Sequence, residues 1–112
     1  MPALLAPATW CTDAAAEVVV DALERAVAPD LPRDLLAEKS GTMVAAFLDA
    51  LTRQGLSLQS VGEGEWVDLE WLAAEISIQG DWRGLPSDPY DYEDARGVAR
   101  TLVAHVRETI AA

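Results

Sequence analysis

Apolar positions recur at helical intervals in several stretches of this chain. From about Asp13 to Ala28, the residues Ala16, Val19, Leu23 and Val27 share one face, while Asp13, Glu17 and Glu24 lie beside it. This spacing predicts a first helix, with Thr12 or Asp13 as cap and Pro29 as stop. Pro32 suits the first turn of a short second helix to about Lys39, capped by Asp30 or Leu31 and ended near Gly41. Thr42 then caps a third helix to about Gln54, with Val44, Phe47, Leu48 and Leu51 inward and Gly55 at its C-terminal end. The clearest stripe comes last. Ala95, Ala99, Leu102, Val106 and Ile110 predict a helix over about Tyr92 to Ala111, capped by Asp91, with Glu93 and Asp94 favourable in its first turn.

Between the third and last helices the pattern changes. Leu56, Leu58 and Val61 alternate, Gly62-Glu63-Gly64 has the form of a turn, and Trp66-Val67 can return as a second short strand, so the pattern leaves open either a small hairpin around residues 56–69 or a segment without strands. A helix from about Leu69 to Ser77 follows, with Leu69, Leu72, Ala73 and Ile76 on its inner face. Gly80, Gly84, Pro86 and Pro89 make the stretch from Gln79 to Asp91 a loop, long enough to be a candidate for function. The expected fold is therefore all-α: one domain over residues 1–112, four to five short helices around a single core, with residues 1–11 an irregular N-terminal segment.

Charge sharpens this picture in one place. The chain of 112 residues has a net charge of −11, and from Glu63 to Asp94 it places ten acids against one base, Arg83. The same window holds Trp66, Trp71, Trp82, Tyr90 and Tyr92 out of seven aromatic residues. Acids steer a basic partner and rings supply contact area, so acid and aromatic together describe a recognition surface. Trp71 is expected in the core, because a tryptophan carries so much apolar area. Trp82, Tyr90 and Tyr92, in or beside the loop, are the expected contacts. Arg96, Arg100 and Arg107 form a basic edge on the last helix, expected to face Asp13, Glu17 and Glu24 of the first.

Other chemistries find little to work with. A strongly negative chain disfavours direct contact with nucleic-acid phosphates or with anionic membrane. No apolar run is long enough for a membrane span, the N-terminus lacks the basic start of a signal peptide, and the single Cys11 fits a reducing compartment; the expected setting is cytoplasmic. Seven arginines to one lysine, with 20 alanines, point to a gene of high GC content and so to a bacterial or phage source. Only Cys11 and His105 offer soft metal ligands, and the acids from Asp88 to Asp94 lack the order of a calcium loop, so no metal or other cofactor is expected. No glycine-rich phosphate cradle or activated nucleophile emerges, and the chain is not expected to be an enzyme.

The segment from Asp34 to Arg53 resembles a helix-turn-helix motif, with Ala37 in the first helix, Gly41 in the turn and Phe47 in the second. Such a resemblance implies a DNA-binding regulator. However, the second helix offers Met43, Val44, Ala45, Ala46 and Asp49 where groove-reading side chains should be polar and basic. The leading expectation is a non-enzymatic protein-binding module that docks its acidic-aromatic surface on a basic partner protein, as inhibitor, adaptor or mimic of nucleic acid. Its expected contacts are Glu63, Glu65, Asp81, Trp82, Asp88, Tyr90 and Asp91. The alternatives are a subunit that self-associates into a homo-oligomer through an apolar helix face, and a degenerate helix-turn-helix regulator.

Overall fold

The computed structural model describes residues 10–86 and 92–110. Among these the chain is all-helical: α1 (Thr12–Ala26), α2 (Arg33–Arg53), α3 (Leu58–Gly62), α4 (Leu69–Gln79) and α5 (Glu93–Ile110). α5 is the organising element, in contact with each of the other four helices, while α1 packs on α2 and α2 on α4. One hydrophobic core runs through the molecule, with Leu23, Leu36, Met43, Phe47, Leu51, Leu72, Ile76 and Leu102 among its fully buried side chains. α1 begins at Cys11, whose Sγ accepts the Ala14 N–H at 3.3 Å, in place of the caps expected at Thr12 or Asp13. Its inward face is Ala15, Val19, Val20 and Leu23.

The two short helices expected over Pro32 to Gln54 are one. α2 runs unbroken for 21 residues through Ser40 and Gly41. Gly41 does not take the left-handed conformation with which glycine ends a helix. Leu36, Met43, Phe47 and Ala50 carry a single buried stripe past it, and that burial outweighs the roughly 1 kcal/mol that glycine costs inside a helix. Thr42 caps nothing: its hydroxyl donates to the Lys39 carbonyl within the same helix. The turn of a helix-turn-helix is therefore absent from this segment.

α2 stops where Gly55 adopts φ +76°; the Leu56 N–H reaches back to the Leu51 carbonyl and the Gly55 N–H to that of Thr52. The same device accounts for the missing hairpin. Gly64, at φ +98°, is a helix stop, with the Glu65 N–H bonded to the Ser60 carbonyl. The residues before it form α3, whose start is fixed by Ser57 and Ser60: each hydroxyl accepts the other's backbone N–H, at 3.0 and 2.9 Å. Gly62-Glu63-Gly64 thus ends a helix instead of joining two strands. α4 matches its expected inner face, with Leu72, Ala73 and Ile76 buried and Leu69 packed against the core. Asp68 caps it, accepting the Trp71 N–H at 3.1 Å.

The basic edge of α5 points elsewhere than expected. α1 and α5 do pack together, yet Arg96 makes a two-pronged ion pair with Glu70 of α4, at 2.7 and 3.0 Å, and a second contact with Glu93. Arg107 donates to the Val61 and Glu65 carbonyls. The acids of α1 find Arg33 at the start of α2 instead, through Asp21 at 3.0 Å and Glu24 at 2.9 Å. Such surface pairs are screened by solvent, so they orient elements more than they hold them together.

Candidate functional site

The turn from α3 to α4 is the most informative part of the surface. Arg107 grips its first half through the Val61 and Glu65 carbonyls. Gln54, at the end of α2, grips its second half: the Gln54 side chain accepts the Asp68 N–H at 3.2 Å and donates to the Asp68 carbonyl at 3.4 Å. Between these anchors Val67 turns inward and is buried. Trp66 therefore turns outward, and 77% of its surface is exposed. The backbone on both sides of it is held, so the ring is presented by the fold. Glu63 and Glu65 are exposed beside it in sequence, and Glu63 accepts a hydrogen bond from Gln59.

Trp71 is not in the core. It lies on the outer face of α4, 38% exposed, with its indole N–H donated to Glu75 at 3.2 Å. Ile78, seven residues on and so on the same face, is 73% exposed. The inner face of α4, read from the sequence, already implies this. Residues 71 and 78 lie opposite Leu72, Ala73 and Ile76, but the apolar mass of tryptophan argued the other way.

The seven expected contact residues do not form one patch among the described residues. Glu63 and Glu65 precede α4, whereas Asp81 and Trp82 follow it, so a helix of 11 residues, roughly 16 Å long, separates the pairs. Asp81 and Trp82 serve the fold. The Asp81 N–H is donated to the Thr42 hydroxyl at 2.8 Å, and its carboxylate meets Arg83 at 3.0 Å and the buried Lys39 ammonium at 3.4 Å. Hydrogen bonds from Arg83, joined by Lys39, hold the Asp81 carboxyl well below the ordinary carboxylate range. Trp82 is half-buried against the core, its indole N–H bonded to the Ile76 carbonyl at 2.9 Å. Asp88, Tyr90 and Asp91 lie outside the described residues. Tyr92 is partly exposed at the start of α5.

Two clefts offer less. One, between α1 and α5, is lined by Ala26, Val27, Asp94, Gly97 and Arg100; the other runs between α1 and α2 along Ala16, Gly41, Ala45 and Leu48. Neither includes Asp81 or Glu70, the carboxylates with lowered proton affinity among the described residues; the Arg96 guanidinium depresses Glu70. In both residues an ion pair of the fold accounts for the shift. No group of three histidine, cysteine or acidic side chains that could hold a metal ion occurs among the described residues, and no helix there is long and apolar enough to cross a membrane. No protein-family model, curated protein or solved structure matches the chain.

Proposed function

We propose that this chain is a non-enzymatic protein-binding module of bacterial or phage origin, working in the cytoplasm, that docks an acidic-aromatic surface on a basic partner protein as inhibitor or adaptor. The observation that carries this reading is Trp66: a large ring, 77% exposed, on a turn anchored from both sides by Arg107 and Gln54. A held backbone loses little freedom on binding, so covering such a ring contributes nearly its full apolar value, on the order of 3 kcal/mol. Glu63 and Glu65 flank it and supply the charge that steers a basic surface toward it. The centre of the surface is thus Trp66, Glu63 and Glu65, with Asp81 and Trp82 assigned to the fold. Imitation of nucleic-acid phosphates is the weaker form of the proposal, because Glu70 and Asp81 are already neutralised within the chain.

The test is capture at low salt by the wild-type chain and by Trp66→Ala, followed by stopped-flow association with the protein recovered. Association is expected to slow by about tenfold or more between low and high salt. Trp66→Ala is expected to weaken binding by about 2 kcal/mol, with an unchanged circular dichroism spectrum. An on-rate indifferent to salt contradicts the steering role of the acids. Unaltered affinity in Trp66→Ala contradicts the role of the ring.

A further inference from the structure

α4 is apolar on both sides. Leu72, Ala73 and Ile76 fill the core, while Trp71 and Ile78 stand on the outer face with Ala74 between them. At about 100° per residue, Trp71, Ala74 and Ile78 fall within an arc of roughly 60°. Glu75 borders this strip on one side and Glu70 on the other. Trp71 and Ile78 lie two turns apart, roughly 10 Å along the axis, which matches the spacing of anchors on a helix laid alongside. A surface helix normally turns charge outward. This one turns an isoleucine outward, 73% exposed.

Charge says what covers the strip. Between Arg53 and Arg83 the chain carries six carboxylates and not one basic residue. Arg96 pairs with Glu70, and Arg53 lies 3.9 Å from the largely buried Glu75 carboxylate, yet Glu63 and Glu65 remain exposed beside Trp66. A second copy of the same chain would bring the same acids face to face, which is unfavourable. We infer that the outer face of α4, continued by Trp66, is a docking strip for a basic amphipathic helix, whose apolar side packs on Trp71 and Ile78 and whose lysines or arginines reach the exposed Glu63 and Glu65. This deepens the function proposed above and rests on it.

The experiment uses the full chain and two synthetic peptides of identical composition. One is a Leu/Lys sequence with leucines at helical spacing; the other is scrambled so that no apolar face forms. Binding is followed by calorimetry, and the mass of the chain alone by light scattering. The expected result is that the amphipathic peptide binds at least tenfold tighter than the scrambled one, and that Ile78→Ser removes most of that preference. Because Ile78 is exposed, Ile78→Ser is expected to leave the thermal midpoint nearly unchanged, which separates lost docking from lost folding. Equal binding of both peptides, or binding of the amphipathic one untouched by Ile78→Ser, overturns the helix strip while leaving a basic partner in place. No binding of either peptide removes both proposals. A concentration-dependent dimer of the chain alone, abolished by Ile78→Ser, also overturns the strip, since a second copy would then occupy it.

Discussion

Gly80 shows how a single residue fixes the seam between α4 and α2. Its N–H and the Trp82 indole N–H both end on the Ile76 carbonyl, each at 2.9 Å. A Cβ added at Gly80 would sit 2.5 Å from that carbonyl oxygen, 3.0 Å from Met43 Cγ and 3.1 Å from Trp82 Nε1. Its φ of −73° is ordinary, so close approach and not backbone strain makes glycine necessary. Gly80→Ala is expected to destabilise the chain by about 1–3 kcal/mol in urea unfolding, with Trp82 emission shifted toward that of solvent-exposed indole. Unchanged stability would mean that this seam is looser than drawn. Trp82 is one of the expected contact residues because glycines and prolines surround it in sequence. Nothing in that local pattern reveals that Asp81 is drawn to Lys39 and Thr42, some forty residues earlier.

Elements were legible where periodicity was long and unopposed. The first and last helices, and the inner face of α4, follow directly from apolar spacing. Where glycine had to be interpreted, its meaning depended on context beyond the local sequence. Gly55 ends a helix as expected, Gly64 ends one where the pattern allows a hairpin turn, and Gly41 interrupts nothing. Ser57 and Ser60 are the signal that could have found α3, since hydroxyls three residues apart can cap each other's backbone. The continuity of α2 yields a prediction. A Cβ at Gly41 meets nothing within 4 Å and its φ is not positive, so Gly41→Ala is expected to stabilise the chain by about 0.5–1 kcal/mol in chemical denaturation. Destabilisation would favour a break in α2 at that point.

For the whole molecule, charge acts at two levels. Ion pairs such as Glu70–Arg96 and Asp81–Lys39 orient neighbouring elements, while the remaining acids leave the chain strongly acidic. Because Arg96 lowers the Glu70 pKa in the folded state, the unfolded chain takes up that proton first as pH falls. The stabilisation is complete above the ordinary carboxylate pKa of about 4 and is lost as pH drops through the lowered folded-state value. Wild type is thus expected to melt above Glu70→Gln at pH 7, with the difference closing as the pH falls below the ordinary carboxylate range. A difference independent of pH would detach Glu70 from Arg96. The acidic-aromatic segment, residues 63–94, is legible in the sequence as a region, but which of its side chains stand outward is not, because exposure of Trp66 depends on anchors supplied by Gln54 and Arg107. The most direct measurement exploits the four tryptophans, whose indole N–H resonances report from four distinct places. In a titration of the ¹⁵N-labelled chain with the amphipathic Leu/Lys peptide, the Trp66 and Trp71 indole signals are expected to shift while those of Trp10 and Trp82 hold still. Shifts confined to Trp10 or Trp82, or no shift at saturating peptide, would contradict a docking surface built on Trp66 and the outer face of α4.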